Sequence, residues 1–425
     1  MWWCAGDVVR VLTPSEQRFV RHGTYTGRSI RVEGELDTTA LRAAFDALLR
    51  TYPVLTCRIG EDAAGSGHLL RPSGDPVGAW VTPGDPDVVR IPAEPIDPRR
   101  QLAYLDVAPA GAGQARVTFF AHHCVADAGH CVELFTRLWD YYTDYVESGS
   151  TQVVPHDYPH ALEWYAAERG IVRGEFSGLE DAIEPLPPQA RILPPDPAVP
   201  LPPTLARPRR TVLDAETTAR VVRLGRRPGL TVNGLVTAAL LRAYVAEISG
   251  GACGPVPVSC LYPVDMRTRL EPPVPAAAGT NMAGLACFAA PVDPAGSIDD
   301  LGRRISARLQ HDLAAGTVQQ SVLHFPDFFG PTRIHSLAGH IALTNTGRVP
   351  AFRVPAGIAL TDYEIVYLSA HPRPSTGAAA AVTFLVYTYA DRLTVGVLGG
   401  GAAADRLPEA VGKHLEALAA EPLDS

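Results

Sequence analysis

The chain has 425 residues, 46% of them hydrophobic and 19% charged, with a formal net charge of −8. That length suits two domains of roughly 200 residues each, and the composition excludes a disordered chain. The acidic balance argues against general nucleic-acid binding, which calls for a basic face; the cations are almost all arginine, Lys413 being the single lysine.

The N-terminal run Met1-Trp2-Trp3-Cys4-Ala5-Gly6-Asp7 meets an acid too early for a signal peptide. No uncharged apolar run reaches the 18 residues of a membrane span. Seven dispersed cysteines without a Cys-x-x-Cys pair fit free thiols in a reducing cytoplasm, so a cytoplasmic protein is expected.

In chain order, Arg28–Gly34 reads as a strand with Ile30 and Val32 on one face. Asp37 then caps a helix with apolar positions Leu41, Phe45, Leu48 and Leu49, ended by Pro53. A second strand, Arg116–Ala121, runs into His122 and His123, and a helix follows from Gly129 to about Tyr145. Adjacent strand residues face opposite sides, so the two imidazoles cannot share one job. The stretch Glu184–Arg210 is rich in proline and reads as an extended, semi-rigid boundary. Beyond it Thr231 caps a helix through Ile248, Val256–Leu261 is a strand, and Ile298–Ala314 has helical spacing. Ala381–Tyr389 and Leu393–Leu398 read as a hairpin, and Leu407–Leu418 as a closing helix.

Two motifs carry chemistry. In the first, His122, His123 and Asp127 stand at a strand end, with small Ala128 and Gly129 opening the next helix. A histidine placed there can act as a base near neutral pH. A metal site built from His122, His123, Cys124, Asp127 and His130 is disfavoured by the geometry of adjacent strand ligands. A Cys124 nucleophile is equally weak, since its neighbours are expected to alternate away from it. The second motif is Asp265-Met266-Arg267-Thr268-Arg269, followed by Pro272-Pro273 and Gly279-Thr280-Asn281. Taken by itself it is a strand end with solvated charges, or an arginine paired with a buried carboxylate such as Asp127.

Together the motifs resemble the His-His-x-x-x-Asp-Gly acyltransferases, which include condensation domains of nonribosomal peptide synthetases. The second motif is similar to that of plant BAHD acyltransferases. Ordered similarity to the phthiocerol dimycocerosyl transferase family, polyketide-associated acyltransferases, spans Leu12–Glu16, Phe45–Leu49, His122–Asp127, Tyr262–Arg267, Gln319–Phe325 and Arg353–Ile358. The resemblance implies an α/β (α+β) fold of two chloramphenicol-acetyltransferase-like subdomains forming a V around a central tunnel. These would be residues 1–183 and 211–425, joined by the 184–210 linker.

The resemblance further implies that His123 is the catalytic base, with His122 in support and Asp127 a structural brace salt-bridged to Arg267. Ala128, Gly129, Asn281, His324 and Asn345 are the tunnel-lining candidates. No metal and no tightly bound cofactor are expected. The implied donor is a phosphopantetheine-linked or coenzyme A thioester. The implied partners are an acyl carrier protein or polyketide synthase and a small-molecule alcohol, with Arg220, Arg223, Arg226, Arg227, Arg303 and Arg304 as candidate carrier-facing cations. Amide formation, cyclisation or elimination on a carrier-bound chain, and a non-catalytic carrier-binding module, are the alternatives. Ala128 stands where the family motif has glycine.

Overall fold

The computed structural model describes residues 3–111, 113–186, 201–248, 254–330, 333, 341–372, 381–401 and 405–420. The centre of the proline-rich stretch, 187–200, lies outside them.

Two six-stranded sheets form the frame. The first runs, in spatial order, Trp80–Val81, Ala103–Ala110, Gln114–His122, Thr24–Glu33, Ala359–Ser369 and Thr204–Ala206. The second runs Ala283–Val292, Val256–Asp265, Ile341–Arg348, Val382–Tyr389, Arg392–Gly399 and Arg209–Val212. A small sheet of Val8–Val11, Gly67–Leu70 and Arg58–Glu61 packs beside the first.

Local sequence explains the elements around the histidines. Asp37 Oδ1 accepts the Thr39 and Ala40 amides at 2.8 and 3.0 Å and starts the helix Thr38–Thr51. Gln114–His122 is flanked by strands on both edges and buried on both faces, so its polar residues Arg116, Thr118 and His122 are buried along with its apolar ones. The helix Ala128–Ser148 follows it and lays Phe135 onto Phe119, with Trp139 edge-on to Phe135 and Phe45 edge-on to Phe119. The second sheet is covered by the helices Val232–Ile248 and Ile298–Ala314. Those two approach closely at Gly234, where a Cβ would collide with Ser306 Oγ and the Gly302 carbonyl.

Sheet membership departs from the chain order expected above. Ala359–Ser369, deep in the second half, pairs along nearly its whole length with Thr24–Glu33 of the first sheet. The described end of the proline-rich stretch is not a free linker: Thr204–Ala206 adds an edge strand to the first sheet and Arg209–Val212 one to the second. Two consecutive short strands therefore stitch the sheets together. Prolines 202, 203 and 208 sit outside the paired residues, as edge strands require.

The stitch is held by charge. Glu364, fully buried in the crossing strand, accepts Arg207 Nε at 2.8 Å and Arg207 Nη2 at 2.6 Å, and meets Arg210 at 3.1 Å and Arg116 at 3.5 Å. Asp362 beside it takes Arg116 and Arg210 at 2.6 and 2.9 Å. Removing one member of a buried network strands the others' charge. Glu364→Ala is expected to lower unfolding stability by about 3–5 kcal/mol, measured by urea titration; a loss under about 1 kcal/mol would contradict the stitch.

Candidate active site

The strand carrying the histidines ends in a tight turn held by its neighbours' backbone. His122 N donates to the Leu102 carbonyl and His123 N to the Thr24 carbonyl, both at 2.7 Å. The alternation of the strand then separates the imidazoles. His122 is fully buried behind the turn, edge-on to Tyr25 at 4.9 Å, and its Nδ1 lies 2.9 Å from Cys124 Sγ. This corrects the expectation for Cys124, whose histidine neighbour faces it. The pair is nevertheless inert: burial pushes the thiol well up and the His122 imidazole well down, and neither borders the cavity in front of His123.

His123 faces the other way. Its Nδ1 lies 2.9 Å from the Ala126 carbonyl. A carbonyl only accepts, so this bond places the proton on Nδ1 and leaves the Nε2 lone pair free. The ring stacks on Phe19 with centroids 4.3 Å apart, and Tyr367 lies at 6.0 Å. Burial lowers its pKa, the Ala126 carbonyl opposes that, and the Arg18 charge adds to the lowering; the result is about 4. The imidazole is neutral at pH 7.

Asp127 binds the two halves of the molecule. Oδ1 accepts the His130 amide at 2.9 Å and caps the helix Ala128–Ser148. Oδ2 accepts Arg267 Nη1, from the second motif, at 2.5 Å and the amide of Met282, the residue after that motif, at 2.9 Å. Arg267 is itself spread over the Thr280 carbonyl (2.7 Å, from Nη2) and Asp265 (3.3 Å, from Nη1). Burial works to raise the Asp127 pKa, but Arg267 and the two amides outweigh it and hold it at about 2. Around this pair, Asn281 Nδ2 donates to the His123 carbonyl at 3.0 Å and Arg28 Nη2 to the Ala128 carbonyl at 2.9 Å. Thr280 Oγ1 reaches back to buried Glu16 at 2.6 Å.

A cavity of about 410 Å³ opens in front of His123. It exists because the strands Val256–Asp265 and Ile341–Arg348 pair only at Cys260–Ile341 and Leu261–Ala342, then separate. Pro263, which has no amide to offer a neighbouring strand, lies on the parted edge and lines the gap. His123, Asp127, Ala128, Gly129, Asn281 and Asn345 all border the cavity. A Cβ on Gly129 would sit 3.6 Å from Asp127 Oδ1 and Asp265 Oδ2, ordinary contact, so the turn does not require glycine there.

His324 does not border the cavity and is corrected. It closes a short 3-10 turn and is buried beside Gln320 (2.8 Å) and Asp327 (3.7 Å). Sequence reasoning overlooked Arg18, Phe19 and Tyr367, which do line the cavity. Arg18 and Phe19 lie two and three residues beyond the Leu12–Glu16 stretch and could have been found there; Tyr367 carries no local signal. A larger groove of about 780 Å³, bordered by Val172, Phe176 and Asp312, holds none of the motif residues. Among the described residues no three His, Cys, Asp or Glu side chains converge as a metal site, and no helix is long and apolar enough to cross a membrane.

Two stitched sheets with a cleft between them form an α/β fold of the condensation-domain type. The first condensation domain of the CDA synthetase superposes with a TM-score of 0.63 over 98% of each chain, at 19% identity, which speaks to fold alone. Polyketide synthase associated protein 5 from Mycobacterium tuberculosis superposes with a TM-score of 0.79 and 28% identity, covering 97% of this chain and 99% of that one. Residues 202–398 match the family described as phthiocerol/phthiodiolone dimycocerosyl transferase C-terminus. The transferase of that name from Mycobacterium sp. (strain JLS) is 33% identical over 84% of this chain and 86% of its own length, and that from M. tuberculosis H37Rv is 32% identical over 84% and 85%. The chain belongs to the phthiocerol/phthiodiolone dimycocerosyl transferase family and is an acyltransferase.

Asp127→Ala leaves Arg267 buried without its partner and is expected to cost about 3–5 kcal/mol of stability. Because the folded-state pKa is depressed, the ionised carboxylate stabilises fully above about pH 4, and this contribution is lost as pH falls toward 2. Thermal melts of wild type and Asp127→Ala should therefore converge between pH 4 and pH 2; a constant gap across that window would show that charge is not the source.

Proposed function

We propose that the protein moves an acyl chain from a thioester to a hydroxyl acceptor, with His123 as general base. The observation that carries this is the free Nε2 of a neutral imidazole, fixed by the Ala126 carbonyl and turned into the cavity. Nε2 takes the acceptor's hydroxyl proton as the oxygen attacks the thioester carbonyl. The tetrahedral intermediate expels the thiolate, which takes the proton back from Nε2. The thiolate is a competent leaving group, so no acyl-enzyme is required, and Cys124 is buried away from the cavity. Positioning both substrates contributes several kcal/mol and the base roughly 10²–10⁴-fold.

Family membership supports an acyl-thioester donor. We take its carrier to be a phosphopantetheine arm, on an acyl carrier protein or coenzyme A. The similarity to a polyketide synthase associated protein favours a synthase-bound carrier. From relatives named for phthiocerol, phthiodiolone and dimycocerosyl groups we extend to this chain the reaction class, an acyl group delivered to a lipid-like alcohol. Of the arginines considered for carrier docking, Arg227 and Arg303 share Asp299. Six free thiols among the described residues accord with a cytoplasmic setting.

His123→Ala should lower thioester-to-alcohol transfer by about 10²–10⁴-fold with little change in melting temperature, followed by intact-mass detection of the ester. Near-wild-type turnover would sink the assignment. Because the folded imidazole loses its proton near pH 4, kcat/KM should hold from pH 7 down to about 5 and fall below that. An acid limb centred at the ordinary value near 6.5 would count against the desolvated base.

A further inference from the structure

The cavity holds a cation that the base mechanism leaves unused. Arg18 follows the short helix Pro14–Gln17 and lines the cavity alongside His123. Its guanidinium carbon lies 4.5 Å from the Phe19 ring, 5.1 Å from Phe325 and 4.9 Å from Phe329. The first ring belongs to the N-terminal half and the other two to the C-terminal half, so the cation sits where the halves meet.

No carboxylate among the described residues pairs with it. Its Nε is buried without a hydrogen-bond partner. Glu163, whose field reaches it, is already engaged by Ser15 N, Ser15 Oγ and Thr13 Oγ1, each at 2.8 Å. The two acids bordering the cavity, Asp127 and Asp265, are both committed to Arg267. Burial draws the Arg18 pKa down to about 10, which leaves it charged at pH 7. A desolvated cation held by aromatic faces alone keeps its hydrogen-bonding edge available.

We infer that Arg18 stabilises the oxyanion that forms on the thioester carbonyl when the acceptor attacks. The inference rests on His123 as the base. In that step the hydroxyl proton passes to His123 Nε2, the new C–O bond forms, and the carbonyl electron pair moves onto oxygen. Negative charge thus appears in a cavity whose uncompensated charge is the Arg18 guanidinium. Phe19 stacks on His123 and supports Arg18, so one ring sets the spacing of base and cation. The donor is fixed before reaction, the condition under which such stabilisation is largest. Collapse of the intermediate with loss of thiolate returns the site to its resting charge.

The test uses octanoyl-CoA with 1-octanol for turnover and n-octylphosphonate as a stable tetrahedral anion. Arg18→Met should lower kcat by about 10²–10³-fold with KM changed only a few-fold, while Arg18→Lys, which keeps the charge, recovers part of the rate. Octylphosphonate affinity, read by calorimetry and independent of turnover, should fall at least tenfold in Arg18→Met and less in Arg18→Lys. A kcat for Arg18→Met within tenfold of wild type, an effect confined to KM, or unchanged phosphonate affinity would each overturn the inference and leave Arg18 as packing between the halves. Should Arg18→Met not fold, Arg18→Gln takes its place with the same expectations. Normal turnover in Arg18→Met beside a silent His123→Ala removes this assignment only; normal turnover in His123→Ala removes the base itself.

Discussion

The ion pair between Asp127 and Arg267 is the constraint on which the site depends. Each partner is short of alternatives. Asp127 is buried at the first turn of a helix, and Arg267 is buried at the end of a strand in the other sheet. Desolvation of either charge is costly, and the pair holds only because the His130 and Met282 amides and the Thr280 carbonyl complete it. What the pair secures is position. It fixes the turn that carries His123 against the strand end that carries Asn281, and Asn281 in turn holds the His123 carbonyl. His123 faces a cleft whose two walls come from different parts of the chain, and this contact sets their separation.

The rest of the fold supports that separation with further cross-links. Glu364 with its three arginines, and Glu16 with Arg10 and Thr280, are buried acids that each join distant segments. The crossing strand Ala359–Ser369 brings Tyr367 beside His123 and ends at the cavity. The cavity itself is a failure of pairing: two parallel strands that part after two residue pairs. A sheet that stays open there needs rigid support elsewhere, and the buried charge networks supply it.

Much of the site was legible because short-range physics dictates it. Strand alternation separated His122 from His123, helix capping marked Asp37, and the ordered motifs paired Asp127 with Arg267. What escaped lies in long-range choices. Nothing in Ile365-Val366-Tyr367-Leu368 tells which sheet that strand will join, since its apolar run suits either. The prolines of 201–208 read as a spacer, though the residues between them form an edge strand of the first sheet and those just after them one of the second. His324 was misplaced because a 3-10 turn rotates each residue by about a third of a circle, aiming the histidine at Gln320 while Phe325 and Phe329 reach Arg18. Arg18 has no motif of its own; its meaning comes from the absence of a partner in a cavity that sequence does not outline.

A double-mutant cycle across Asp127 and Arg267 tests most directly whether this pair seats the base. Asp127→Asn, Arg267→Met and the double variant would be compared in thioester-to-alcohol turnover and in unfolding free energy. The account predicts that the double variant is no worse than either single, with a coupling of about 1–3 kcal/mol in both readouts. Additive losses in turnover, with the two substitutions acting independently, would contradict it.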